Sequence, residues 1–109
     1  MTRTFYQAPP FQSAWAKMGL NDQHLAELEA VLLDNPEAGD MIKDTGGARK
    51  IRFQIGAKGK SGGARVIYVD FIRDECIHLL YAYPKSVQSD LTPAQKKVIH
   101  KMVKAIKEE

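Results

Sequence analysis

Arg65-Val66-Ile67-Tyr68-Val69-Asp70-Phe71-Ile72 and Cys76-Ile77-His78-Leu79-Leu80-Tyr81-Ala82-Tyr83 are two β-rich runs separated only by Arg73-Asp74-Glu75. β-Branched and aromatic residues on either side of a short charged break describe an antiparallel hairpin. Both runs are apolar at nearly every position, so the two strands are expected to be central and covered on both faces. Upstream, the pattern has period two: Ile51, Phe53 and Ile55 alternate with Lys50, Arg52 and Gln54. That alternation describes a third strand with one apolar and one largely basic face.

Helical signals flank these strands. Asp90-Leu91-Thr92-Pro93-Ala94-Gln95 reads as a capping box, with Thr92 as N-cap, Pro93 in the first turn and Gln95 three residues after the cap. The helix it opens carries Ala94, Val98, Met102 and Ile106 as its apolar stripe, flanked by Ile99 and Val103, with lysines on the outer arc. Near the N-terminus, Thr4-Phe5-Tyr6 predicts a short strand. Pro9-Pro10 then opens a helix bearing Phe11, Ala14, Trp15 and Met18, with Gly19 as its C-cap. Asn21 caps a second helix with the stripe Leu25, Leu28, Val31 and Leu32, stopped by Asn35-Pro36. The expected fold class is α+β: an antiparallel sheet packed on an N-terminal helix hairpin, with a C-terminal helix.

The 109 residues suit a single domain over 1–109 with one core, large enough to fold without disulfides or a structural metal. Cys76 is the only cysteine and lies in an apolar run, which makes it a buried thiol and excludes an intramolecular disulfide. The N-terminal residues lack a long apolar h-region, and no segment approaches the roughly 20 apolar residues that span a bilayer. The expectation is a cytoplasmic protein with no membrane partner.

Charge is distributed unevenly. From Thr45 to Val69 there is no Asp or Glu, but Arg49, Lys50, Arg52, Lys58, Lys60 and Arg65 all fall there, while the formal net charge of the chain is only +3. A phosphate backbone is the commonest partner for such a patch; a solvated basic face is the plainer alternative. The N-terminal half is acidic and a poor candidate for touching nucleic acid. Gly59-Lys60-Ser61 resembles the end of a P-loop, but that motif requires glycine where Gln54 stands and a strand-to-helix junction, whereas this loop joins two strands. His24, His78 and His100 lie on separate elements and, with Cys76, make no metal-ligand spacing, so no metal is expected. No Ser-His-Asp or Cys-His arrangement emerges.

What remains is a cluster of cations and tyrosines. Lys58 and Lys60 occupy a Gly-rich loop, with Arg52 before it and Arg65 after it. Tyr81, Tyr83 and Lys85 alternate along the last strand and so share a face, together with Ile77 and Leu79. Each tyrosine is equally readable as a core aromatic with a satisfied hydroxyl.

Several pieces in fixed order resemble a known family: Asn35-Pro36-Glu37-Ala38-Gly39-Asp40, Gly46-Gly47-Ala48-Arg49-Lys50-Ile51-Arg52, Lys58-Gly59-Lys60-Ser61-Gly62-Gly63, Arg65-Val66-Ile67-Tyr68, Tyr81-Ala82-Tyr83-Pro84-Lys85 and Asp90-Leu91-Thr92-Pro93. Together they resemble the HigB branch of the RelE/HigB toxins of bacterial type II toxin–antitoxin modules, from about Asn35 to the last helix. The resemblance implies a RelE-like fold and a ribosome-dependent mRNA endonuclease, an mRNA interferase that stops translation and growth. It also implies an antitoxin with a helix-turn-helix domain, encoded by the neighbouring reading frame. RNA can be cut without a metal or other cofactor when its own 2′-hydroxyl attacks the adjacent phosphorus, provided one group takes that proton, another protonates the leaving oxygen, and cations surround the phosphorane.

Carried over in this way, Arg65, Arg52, Lys58, Lys60 and Lys85 are the candidate catalytic residues, and Arg49, Lys50, Tyr81 and Tyr83 the candidate RNA-binding ones. Like charges nearby favour the neutral form of a lysine, which would let one serve as acid or base. Some relatives place a catalytic tyrosine or histidine close to the C-terminus, but no tyrosine follows Tyr83 here and His100 lies in the lysine-rich helix, so the general base is unassigned. The rival reading is a non-catalytic module that holds RNA or an acidic protein on the same patch. In the corresponding alternative for Arg65, it pairs with Asp70 or Asp90 to hold the sheet.

Overall fold

The computed structural model describes residues 2–54 and 63–109. Its elements are β1 (Thr4–Gln7), α1 (Pro9–Lys17), α2 (Asp22–Asp34), β2 (Asp40–Met41), β3 (Arg49–Phe53), β4 (Ala64–Phe71), β5 (Cys76–Pro84) and α3 (Pro93–Lys107). A short 3-10 turn, Ile72–Asp74, joins β4 to β5. The strands form a five-stranded sheet in the order β1-β5-β4-β3-β2. The β2-β3-β4-β5 part is antiparallel, as expected. β1 differs: it runs parallel to β5, with Thr4 opposite Cys76 and Gln7 opposite Leu79.

The central position of β4 and β5 explains their continuous apolar runs, because each face of the sheet carries its own core. On one face Phe11, Trp15, Leu28 and Leu32 of the helix hairpin pack on Ile51, Phe53, Val66, Tyr68, Ile77 and Leu79. On the other, Ile99 and Val103 of α3 pack with Leu91 on Ile67, Val69, Leu80 and Tyr83. Cys76 is buried and unbonded, and burial pushes its thiol pKa up.

Strand parity changes within β5. Ile67 is paired with Tyr81 but Tyr68 with Leu79, so Leu80 is an extra residue, a β-bulge. Tyr81 and Tyr83 share a face as expected, but the expectation that Ile77 and Leu79 lie on it with them is overturned. Ile77 and Leu79 join the core under the helix hairpin, whereas Leu80 and Tyr83 join the core under α3, with Tyr81 packed against it.

Both capping signals are realised. The Asn21 side chain accepts from the His24 amide at 3.0 Å, and His24 Nδ1 accepts from the Asn21 amide at 3.1 Å. Thr92 Oγ1 accepts from the Gln95 amide at 3.1 Å, and Gln95 Oε1 from the Thr92 amide at 2.9 Å. Gly19 follows the last turn of α1 with φ +74, the left-handed conformation for which a C-terminal glycine is suited. The stripes are set differently from expectation. Val31 is 46% exposed and Val98 57%, and in α3 the flanking Ile99 and Val103 are the buried residues, with Met102 and Ile106 of the expected stripe packed partly against the same core. Two apolar rows one residue apart satisfy the helical period equally well, and packing on the sheet selects between them.

The link from α2 to β2 is anchored from beneath. The fully buried Tyr68 donates its hydroxyl to the Pro36 carbonyl at 2.7 Å and accepts from the Gly39 amide at 2.9 Å. A Cβ on Gly39 would lie 2.8 Å from Tyr68 Cε1 and 2.9 Å from the Lys50 carbonyl, so only glycine lets this segment lie so close to β3 and β4.

Candidate functional site

Register gathers the basic residues onto one face. Arg52 is directly opposite Arg65, and Arg65 is opposite Tyr83, so these three form a row across β3, β4 and β5. The next row contains Asp40, Lys50, Ile67 and Tyr81. Because Ile67 lies in the core beneath α3, both rows belong to that face of the sheet. α3 packs over Ile67, Val69 and Leu80. Beyond it opens a cleft of about 450 Å³ lined by Lys50, Arg52, Arg65, Ala38, Asp40, Ile51, Ser89 and Asp90.

Arg65 is only 6% exposed. Neither acid considered as its partner is free: Asp70 is held by Arg3, Nε to Oδ1 at 2.8 Å, and Asp90 is ion-paired with Lys50. Among the described residues no carboxylate forms an ion pair with Arg65. A nearly buried guanidinium directly across from a second arginine is an unfavourable pairing for the sheet by itself. An anion bound between the two would reverse the sign of that interaction.

Tyr83, in register with the cleft residue Arg65, is 2% exposed. Burial pushes its phenol pKa up to about 12, with Asp90 adding to the effect and Arg65 opposing it. At neutral pH it is therefore a proton-bearing donor, aimed at the Ser89 carbonyl at 3.4 Å, and it is unsuited to act as a general base. Asp90 is the residue that sequence reasoning missed, having been weighed only as a partner for Arg65. Its carboxylate enters the cleft from the segment before α3, and its pKa is lowered first by the hydrogen bond and charge of Lys50, then by the charges of Lys96 and Arg65. No local sequence signal shows that this segment folds back over β3.

The remaining expected residues separate. Arg49 faces the other way, in register with Tyr68, and its guanidinium donates to the Gly39 carbonyl at 2.8 Å and lies 3.7 Å from the Glu37 carboxylate. It fastens the sheet edge and does not line the cleft. Tyr81, 6.1 Å from Tyr83 between ring centres, borders an apolar groove with Pro10, Val98 and Met102. Lys85 lies just past β5, exposed, its amide donating to the Gly63 carbonyl at 3.0 Å. Lys58 and Lys60 fall outside the described residues. The histidines have other surroundings: His24 caps α2, His78 stacks on Tyr6 at 4.9 Å, and the His100 ring lies over Gly46. Among the described residues no group of His, Cys, Asp and Glu could hold a metal ion, and no helix is long and apolar enough to cross a membrane.

The family model described as the RelE toxin of the RelE/RelB toxin–antitoxin system matches residues 3–109. Among solved structures, the chain is similar to a free-state arginine-to-alanine mutant of the E. coli toxin RelE, with 15% identity and a TM-score of 0.56 over 82% of this chain and 90% of that one. It is also similar to a chain of the intact E. coli RelBE toxin–antitoxin complex, with 15% identity and a TM-score of 0.53 over 77% and 96%. At such identities the structural likeness speaks for the fold.

Proposed function

The chain belongs to the RelE toxin family, and on that footing we propose that it is a ribosome-dependent mRNA endonuclease of the HigB branch, restrained by a helix-turn-helix antitoxin encoded beside it. The observation that carries this reading is the facing pair Arg52 and Arg65 lining the cleft, the second nearly buried and without a carboxylate ion-pair partner among the described residues. Two guanidinium forks in register at that spot, one nearly buried and one exposed, suit the non-bridging oxygens of a phosphate whose charge grows during reaction.

In the step proposed, the 2′-oxygen of the RNA attacks the neighbouring phosphorus, the bond to the 5′-oxygen breaks, and a 2′,3′-cyclic phosphate and a 5′-hydroxyl result. One proton leaves the 2′-hydroxyl and one reaches the departing oxygen. Arg65 and Arg52 hold the phosphorane, and Lys50 at the cleft wall grips the strand. Lys58, Lys60 and Lys85 complete the cationic surround, as the family resemblance implies. Tyr83 keeps its proton and fixes the Ser89 segment that forms the far wall. With no strong base among these side chains, the ribosome supplies the alignment of the 2′-hydroxyl with the leaving oxygen. Such orientation accounts for a large part of the barrier in reactions of this kind.

Induced alone, the protein is expected to arrest growth and translation, and co-expression of the neighbouring reading frame to restore both. Growth curves and amino-acid incorporation after induction test this. Verified soluble protein that leaves both unchanged would favour the binding module over the nuclease.

A further inference from the structure

The cleft described above does not end at Asp90. A second depression of about 320 Å³ adjoins it, lined by Met41, Ile42, Lys43, Leu91 and Lys96, and the two share Asp40, Lys50 and Asp90. The Lys50–Asp90 ion pair is thus the partition between two parts of one trough. Lys50 comes from β3, Lys96 from the first turn of α3 and Arg65 from β4, and all three lie within electrostatic reach of the Asp90 carboxylate. The protein's own anion sits where cations from three elements converge.

The partition is easily broken. The Asp90 side chain is 72% exposed while that of Lys50 is 23%, and an ion pair with one partner so open to water is screened and contributes modestly to stability. Lys43 and Lys96 beyond it have no ion-pair partner among the described residues. Met41, Ile42 and Leu91 supply the apolar part of the lining, with Met41 60% exposed and Leu91 nearly buried. An exposed apolar side chain between cations can pack against a nucleobase whose flanking phosphates reach those cations.

We propose that Asp90 stands in for a backbone phosphate: single-stranded RNA threads from the first cleft into the second, displaces the Asp90 carboxylate from Lys50, and is gripped beyond it by Lys43 and Lys96. This rests on the nucleic-acid reading of the first cleft and extends it by one subsite and one displaceable anion. The carboxylate competes with any anion that reaches only the first cleft. A strand long enough to engage Lys43 and Lys96 overcomes that competition.

The test is fluorescence anisotropy of a labelled single-stranded RNA, 2′-O-methylated throughout so that it cannot be cut, titrated with wild type, Asp90→Asn and the double variant Lys43→Gln/Lys96→Gln at several salt concentrations. Asp90→Asn is expected to bind roughly three- to fivefold tighter, the scale set by loss of an exposed ion pair. The double variant is expected to bind more weakly, with a salt slope shallower by roughly 1.4, about 0.7 for each lost contact to a single strand. Unchanged or weaker binding by Asp90→Asn, or an unchanged slope in the double variant, would overturn the route, as would wild-type protein that binds no RNA. Ribosome-dependent cleavage by the wild type is scored separately, so the second subsite and the nuclease reading can fail independently.

Discussion

Arg65→Ala is expected to lower mRNA cleavage by about 10²–10³, the usual effect of removing one preorganised donor to a developing oxyanion, equivalent to roughly 3–4 kcal/mol. The effect should fall on turnover and not on folding. Arg65 has no carboxylate ion-pair partner among the described residues and is in register with Arg52, so its removal breaks no ion pair with a described residue and takes away one of two like charges on paired positions. Any stability change from lost packing of its stem should stay near 1 kcal/mol. Arg65→Lys should restore little, because a point charge cannot make the bidentate contact of a planar fork. Thermal melts and cleavage rates measured on the same purified variants separate the roles. A lowered Tm with wild-type turnover would make Arg65 a sheet-stabilising residue, and wild-type turnover in a well-folded variant would remove it from the site.

Tyr68→Phe should behave in the opposite way, with a large loss of stability and no direct effect on chemistry. Its hydroxyl satisfies the Gly39 amide and the Pro36 carbonyl in a fully buried position. Phenylalanine fills the same space but leaves both backbone groups without that partner, at roughly 1–3 kcal/mol for an unsatisfied buried group and about 2–4 kcal/mol together. For a domain of this size that corresponds to a Tm lower by roughly 10–20 °C. Differential scanning calorimetry would measure it. A shift of only a few degrees would mean that water reaches Pro36 and Gly39 in place of the hydroxyl. The Pro36–Gly39 link leads into β2, and Ala38 and Asp40 line the cleft, so this hydrogen-bonded anchor also fixes one wall of the site.

What could be read from the sequence was local. The alternation of Ile51 and Phe53 with Lys50 and Arg52, the apolar runs of β4 and β5 and the Thr92 capping box each express a constraint acting within a few residues, and each has its place in the structure. Long-range choices were hidden. Four residues at Thr4–Gln7 carry no mark of which sheet edge they join or in which direction. The bulge at Leu80 was invisible because its strand is apolar on both faces, so a change of parity leaves the pattern intact. The site divides in the same way. Alternation put Lys50 and Arg52 on one face, and pairing with β4 brought Arg65 to them. Arg49 has the same charge but the opposite parity, and its donors are used on nearby carbonyls. Asp90 reaches Lys50 across 40 positions of chain, a distance over which periodicity is silent.

The central claim is that a cationic row able to hold phosphate, but without a strong base, cuts mRNA only when the ribosome aligns it. Primer extension on one mRNA, incubated with the purified protein in the presence and absence of translating ribosomes, tests it most directly. Cleavage confined to the reaction containing ribosomes is the expected result. Equal cutting of naked RNA, or intact mRNA in both reactions with folded protein present, would contradict it.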